Sequence, residues 1–165
     1  MLGARSSPHW VTSQVPGHAW RLAAESLREL ATPQTEFFWL LLRYTHAVLV
    51  QAAQSTACNR LHPLRARAAR WLATCRDRLG ADEFPLTQEF LAGMLGVRRA
   101  GVTEALAPMK RAGLLEYRRG WIRILDPERL EVAACDCYQI VRDELLQVAG
   151  ARLLDPPAGS REQQR

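Results

Sequence analysis

Two short amphipathic segments joined at a glycine give the clearest pattern of apolar and polar positions in the chain, over residues 86–106. Their apolar positions recur at helical spacing and are Leu91, Met94, Leu95, Val97, Val102 and Leu106. Thr87 is placed to cap the first segment, and Gly96 supplies the positive φ that ends it. The pattern therefore predicts two helices joined by a tight turn, which is a helix-turn-helix.

A short basic hairpin is predicted directly after these two helices. Residues 112–117 close the second helix and enter a strand, residues 118–120 form a turn, and residues 121–125 alternate as a second strand. A helix-turn-helix followed at once by such a hairpin is a winged helix. Between residues 84 and 125, seven Lys or Arg residues stand against three Glu, which favours a polyanionic partner.

Polar side chains on this predicted winged helix suit contact with double-stranded DNA, which needs donors for base edges and for phosphate. The candidate DNA-binding residues are Thr87, Gln88, Arg98, Arg99, Thr103, Arg118, Arg119 and Arg123. The second helix, over 98–107, would present its N-terminal half to the major groove, and the wing would contact the backbone or minor groove. The competing interpretation is a winged helix used to dock another protein.

A long helix is predicted before this region, over residues 34–62, where Pro33 suits the first turn. One stripe on it repeats at alternating spacings of four and three, which is typical of a coiled-coil-like seam. The stripe consists of Phe38, Leu42, Thr45, Leu49, Ala52 and Thr56. It predicts a dimerisation surface, and the competing interpretation is a core helix of a monomer.

Further elements complete the predicted mainly α fold. A second helix covers 63–79, and its five arginines are expected to form a solvated face, with contact to phosphate as the alternative. The loop 80–85 leads into the helix-turn-helix. After the wing, Asp126 and Pro127 start a helix that is expected to continue to about Val148. Pro108 is expected to kink or end the recognition helix near Ala107.

Composition indicates a globular protein without a membrane segment. Hydrophobic residues make up 48% of the chain and charged residues 24%, and the net charge is +5. No apolar run approaches the roughly 18 residues that cross a bilayer, and no signal peptide opens the chain. We therefore expect a cytoplasmic protein with reduced cysteines and no membrane partner.

Three of the four cysteines fall into two separate pairs of possible metal ligands, one of which includes a histidine. Cys58 and His62 are four residues apart, and Cys135 and Cys137 are two apart, but neither pair is a CxxC and no further ligand spacing follows. We expect buried structural thiols, with no metal and no cofactor, and a thiol switch ranks below that interpretation. No nucleophile elbow, P-loop or paired-carboxylate motif is present, so an enzyme is not expected.

The stretch from Thr87 to Val102, the wing, and the segment Cys135-Asp136-Cys137-Tyr138 together resemble the DNA-binding half of the Crp/Fnr transcriptional regulators. The resemblance extends from about residue 10 to about residue 140. It implies a homodimer formed through the long helix, palindromic double-stranded DNA as partner, and RNA polymerase as a further candidate partner. It also implies that residues 1–33, with a short strand pair and a helix over 24–30, are the remnant of a truncated effector-sensing β-barrel.

Arg99 lies where this family carries its base-reading arginine. Two positions depart from the family pattern, because Ala100 replaces a Glu and Glu104 replaces a second Arg, so a target sequence does not carry over. The chain also has no Gly-Glu pair followed by Arg, the pattern that holds a cyclic nucleotide in the family.

The sequence thus predicts a dimerisation helix at 34–62, a winged helix-turn-helix domain at 63–150 and a flexible tail at 151–165. The expected function is sequence-specific, homodimeric transcription regulation. The alternative is a truncated interaction module that heterodimerises with full-length relatives without productive DNA binding.

Overall fold

Helices make up most of the described chain, and three short strands pack against them. The computed structural model describes Ser6 and residues 19–150. The helices are α1 (Ala24–Leu30), α2 (Glu36–Leu61), α3 (Leu64–Leu79), α4 (Gln88–Leu95), α5 (Arg99–Arg111), α6 (Pro127–Ala133) and α7 (Cys137–Gly150). The strands are β1 (Glu83–Pro85), β2 (Leu115–Arg118) and β3 (Trp121–Ile124), which form an antiparallel sheet of order β1-β3-β2.

The predicted winged helix-turn-helix is confirmed. Thr87 Oγ1 accepts a hydrogen bond of 3.1 Å from the amide of Phe90, which caps α4. Gly96 ends α4 in the left-handed region, at φ +65. The strands β2 and β3 form the wing, with Arg118 paired to Trp121 beside the turn.

One apolar cluster lies beneath α3, α4, α5, α6 and the sheet. Its largest fully buried side chains are Leu72, Leu91, Val102, Leu115, Ile122 and Leu130. Each of these elements contributes one apolar face, so the cluster determines how the two helices of the motif and the wing are oriented.

The recognition helix is longer than expected. A kink or an end was expected near Ala107; an end there is wrong, since α5 continues through Pro108 to Arg111. Proline removes one hydrogen bond to residue 104. Met109 directly after it is only 2% exposed, so burial of its side chain holds the last turn against the core.

The prediction of a single helix after the wing is also wrong. Asp126 caps α6 as predicted, through a 3.0 Å bond from the amide of Arg129. Ala134 then adopts an extended backbone, with ψ 161, and α7 begins at Cys137. The break allows α6 to pack against α3 while α7 packs against α2, which one straight helix would not do.

The long helix α2 agrees with the prediction to within two residues at either end, with Thr35 as its cap. The helix over 24–30 is confirmed as α1. A short strand pair was expected before α1. Its second strand is wrong, because residues 19–23 form no strand, and its first strand lies outside the described residues. The predicted tail, 151–165, also lies outside the described residues. The predicted loop, 80–85, contains the strand β1.

The arginines of α3 do not form one solvated face as expected. Arg67 and Arg70 are buried, and at Arg67 the end of α2 and the end of α4 cover this side of α3. Arg67 donates from Nη2 to Asn59 Oδ1 at 2.7 Å and to the carbonyl of Leu95. It thereby joins the last turn of α2 to the C-terminus of α4. No helix among the described residues has the length and hydropathy to cross a membrane.

Two glycines in the helix-turn-helix should respond to alanine with opposite signs. A Cβ on Gly96 or on Gly93 would meet no atom within 4 Å, so only backbone conformation matters at both. Because Gly96 is left-handed, Gly96→Ala should lower the free energy of unfolding by about 1–2 kcal/mol. Gly93 is helical and exposed, so Gly93→Ala should raise it by about 0.5–1 kcal/mol. Urea unfolding measures both, and equal effects would contradict the assigned turn.

Candidate nucleic-acid interface

The N-terminal half of α5 presents polar side chains to solvent. Arg98, Arg99 and Thr103 are all exposed, while Val102 between them is fully buried. In the described part of the chain, neither Arg98 nor Arg99 has an acidic side chain within ion-pair distance. Both guanidinium groups therefore remain able to bind an external acceptor.

Thr103 is coupled to the first turn of α4. Its Oγ1 lies 3.0 Å from Gln88 Oε1 and 3.2 Å from the carbonyl oxygen of Arg99, and its one hydrogen can be donated to either. The contact brings the predicted site residues of the two helices together on one surface.

The wing is held against the start of α4 by two hydrogen bonds. The backbone amide of Gln88 donates to Tyr117 Oη at 3.1 Å, and the amide of Leu86 donates to the carbonyl of Gly120 at 2.7 Å. The wing turn therefore has a defined position beside the helix-turn-helix. Tyr117 was not among the predicted site residues, and only its place opposite α4 in the fold reveals this role.

The wing turn exposes two arginines in an unusual backbone. Arg119 and Gly120 have φ of +45 and +85, which is the pattern of a type I′ turn. A left-handed conformation costs a non-glycine residue about 1–2 kcal/mol. The backbone of Arg119 at the tip of the turn therefore lowers the stability of the fold. Arg118 is exposed as well, with its Nε 3.8 Å from Glu116 Oε2.

Arg123 has a different environment from the other two wing arginines. Its Nε lies 3.9 Å from Glu83 Oε2, and its register partner on β2 is Glu116. Acidic residues thus flank it on both neighbouring strands. Arg123, like Arg118, therefore has part of its charge compensated within the sheet.

The N-terminus of α5 is electrostatically unfavourable to the chain itself. Arg98 occupies the N-cap without a side-chain capping bond, and no acidic residue lies in the first turn. The positive end of a helix dipole repels cations there. The same arrangement combines two guanidinium groups with unpaired helix amides, and it attracts an anion such as phosphate.

Comparison with known proteins agrees with this geometry. A profile described as the Crp-like helix-turn-helix domain matches residues 66–133, which run from α3 to the end of α6. These residues are therefore similar to the Crp-like helix-turn-helix domain. The similarity supports a DNA-binding role in transcription regulation.

A solved structure described as a transcriptional regulator of the Crp/Fnr family, from Eubacterium rectale, is also similar to the chain. The match has 32% identity and a TM-score of 0.46. The matched region covers 48% of this chain and 37% of the solved chain. This chain therefore spans less than half of the length of that regulator. No curated protein matches the chain.

Outside the candidate nucleic-acid interface, the fold brings together two pairs of side chains that are separate in the sequence, Cys58 with His62 and Cys135 with Cys137. Cys58 Sγ lies 3.4 Å from Cys135 Sγ, and Cys137 Sγ lies 3.6 Å from His62 Nδ1. Burial, followed by the hydrogen bond to Cys58, raises the pKa of the Cys135 thiol to about 12, and burial also raises the pKa of Cys137. Nothing in the spacing alone indicated that the pairs meet.

Replacing Arg98 by serine should stabilise the Crp-like domain. Serine at an N-cap accepts a bond from the first turn, and the change also removes a cation from the positive helix end. We expect Arg98→Ser to raise the free energy of unfolding by about 1 kcal/mol. Arg111→Ser is the matched control, because Arg111 is exposed in the last turn, where a cation is favourable. Urea unfolding that shows no gain in Arg98→Ser would refute this account of the cap.

Proposed function

We propose that this protein is a sequence-specific transcription regulator that binds palindromic DNA as a homodimer. One observation carries the proposal. The exposed half of α5, the start of α4 and the wing turn form a continuous surface through the contacts of Gln88 with Thr103 and Tyr117. That surface carries four exposed arginines, Arg98, Arg99, Arg118 and Arg119.

The arginines have different parts in the proposed complex. Arg99, at the first position of α5, would enter the major groove and donate two hydrogen bonds to a guanine. Arg98 and Thr103 would flank it against neighbouring bases or phosphates. Arg118 and Arg119 would contact the phosphate backbone from the wing, and Arg123 would contribute least because of Glu83 and Glu116.

Thr87 and Gln88 would support phosphate contact at the start of α4, although both already have internal partners. Thr87 Oγ1 caps the helix, which leaves its hydroxyl hydrogen as a donor. Gln88 Oε1 is 3.0 Å from Thr103 Oγ1, so its amide nitrogen is directed to other acceptors. Their proposed part is to position the protein on the duplex, since phosphate contacts carry no sequence information.

The dimer would form through the face of α2 that carries the stripe, where Leu42, Leu49, Ala52 and Thr56 are exposed. At about 100° per residue, the stripe from Phe38 to Thr56 lies on the side of the helix opposite Ala47 and Cys58, which are buried. That buried side faces the rest of the chain, as shown by the 2.6 Å bond from Arg78 to Gln51. Several large apolar side chains remain exposed on α2, namely Trp39, Leu42, Tyr44, Val48 and Leu49.

An apolar surface of this extent favours association with a second protein surface. A parallel pair of α2 helices would relate the two recognition helices by a two-fold axis. Their spacing would then match half-sites about 34 Å apart on one face of the duplex.

Replacing Arg99 by alanine should separate base reading from general attraction. We expect Arg99→Ala to weaken binding to a selected palindromic duplex by about 1–3 kcal/mol, because a bidentate contact to guanine is lost. Binding to random duplex should weaken much less. Fluorescence anisotropy at two salt concentrations measures both affinities.

Arg111→Ala is the matched control, since Arg111 is exposed at the other end of α5. It should weaken binding to both duplexes slightly and equally. Equal losses on both duplexes in Arg99→Ala would assign Arg99 to phosphate. Failure of the wild-type chain to select any sequence would instead support the interaction module.

A charge on the α2 stripe should disrupt the dimer. Leu49 is 61% exposed in the single chain, and Leu49→Asp should convert dimers to monomers at micromolar concentration, because two carboxylates would meet across the seam. Sedimentation velocity measures the change. Val132→Asp is the control, because Val132 is 85% exposed but lies on α6. A wild-type chain that sediments as a monomer, or an unchanged dimer in Leu49→Asp, would rule out this surface.

A further inference from the structure

We propose that Cys58, His62, Cys135 and Cys137 bind one zinc ion as a tetrahedral, structural site. The ligand atoms of all four side chains lie within 4.8 Å of one another. This inference does not depend on the proposed DNA binding, and it departs from the expectation of a protein without metal.

The distances between the ligand atoms fit a single ion. Zinc–sulfur bonds of about 2.3 Å and zinc–nitrogen bonds of about 2.0–2.1 Å imply tetrahedral edges of about 3.8 Å between sulfurs and about 3.6 Å between sulfur and nitrogen. The observed edges are 3.4 Å for Cys58 Sγ to Cys135 Sγ and 3.6 Å for Cys137 Sγ to His62 Nδ1. Binding therefore needs only small side-chain adjustments.

The donor set selects the metal. Three thiols and one imidazole are soft or borderline ligands, which suit Zn²⁺ and exclude a site designed for Mg²⁺ or Ca²⁺. An iron–sulfur cluster places several iron and sulfide atoms between its ligands. Four ligand atoms gathered within 4.8 Å leave room for one ion instead.

The local structure presents these four ligands from two parts of the fold. Cys58 lies in the last turn of α2 and His62 is the C-cap of that helix, so a spacing of four places both on one side. Cys135 lies in the extended link between α6 and α7, and Cys137 is the first residue of α7. The three cysteines are buried and His62 is half-buried, as in a closed structural site.

A buried arginine supplies the charge that such a site requires. Three thiolates, a neutral imidazole and Zn²⁺ have a net charge of −1. Arg70 is 9% exposed, and its Nε has no hydrogen-bond partner among the described residues. Its positive charge favours the thiolate form of Cys137, although burial of that thiol raises its pKa overall. A buried unpaired charge is costly, and an anionic metal site beside it removes that cost.

Zinc at this position would fasten the end of α2 to the junction of α6 and α7. The neighbouring bonds of Arg67 connect the same turn of α2, through Asn59, to the C-terminus of α4. The metal would therefore reinforce the connection between the long helix and the helix-turn-helix.

Cobalt substitution tests the site directly. The full chain is purified under reducing conditions, stripped of metal and titrated with Co²⁺. We expect one equivalent to produce tetrahedral ligand-field bands and sulfur-to-cobalt charge transfer, and one equivalent of Zn²⁺ to abolish both. Absence of these bands in the wild-type chain would overturn the proposal without reference to any variant.

Serine variants identify the ligands. Cys58→Ser and Cys137→Ser should each weaken Zn²⁺ binding more than about 100-fold in competition with a chromogenic chelator. Cys75→Ser is the matched control, because Cys75 is a partly buried thiol of α3 outside the cluster, and it should bind Zn²⁺ like the wild type. Circular dichroism confirms that each variant is folded.

His62→Ala provides a variant that keeps all three thiols. It should retain sulfur-to-cobalt charge transfer with altered ligand-field bands, since one nitrogen ligand is lost. Unchanged Zn²⁺ affinity in Cys58→Ser would overturn the proposal. So would a Cys58–Cys135 disulfide that forms under mild oxidation equally fast with and without Zn²⁺, because bound thiolates are protected.

Discussion

Burial of one apolar cluster is the constraint on which the remaining structure depends. Leu91 of α4, Val102 of α5 and Ile122 of β3 are each fully buried in it, although they come from three different elements. None of these elements is long enough to be stable alone. Their shared core therefore decides both that they form and how the recognition helix stands relative to the wing.

The proposed DNA-binding surface departs from the local rules that the rest of the domain follows. Helix α4 has a threonine cap and an acidic first turn, whereas α5 has arginine at its cap and at its first position. The wing turn places Arg119 in a backbone that suits glycine or asparagine better. Such departures are expected where side chains serve recognition instead of stability. Here they coincide at the two points nearest the proposed duplex.

The break between α6 and α7 has consequences that extend beyond its three residues. It allows Leu130 to remain in the main core while Cys135 approaches the last turn of α2. The same region contains Arg67 and Arg70, two buried guanidinium groups on α3. Polar and sulfur contacts thus connect α2 to the winged helix where the apolar cluster does not reach.

The sequence by itself determined the elements whose signals are local. Thr87, Gly96 and Asp126 specify where helices begin or end because capping and positive φ depend on neighbouring residues alone. Helical and alternating periodicity located α2, α4, β2 and β3 for the same reason. The exposed position of Arg99 on α5 followed from that periodicity, and the exposed positions of Arg118 and Arg119 followed from the predicted turn at 118–120.

Only the tertiary structure decided the features that depend on residues far apart in the chain. The continuation of α5 past Pro108 depends on the burial of Met109, and the burial of Arg67 depends on α2 and α4. The meeting of Cys58 with Cys135 joins positions 77 residues apart. Periodicity and spacing report each segment's own preferences, whereas these features arise from packing between segments, and no local pattern encodes which distant side chains that packing brings together.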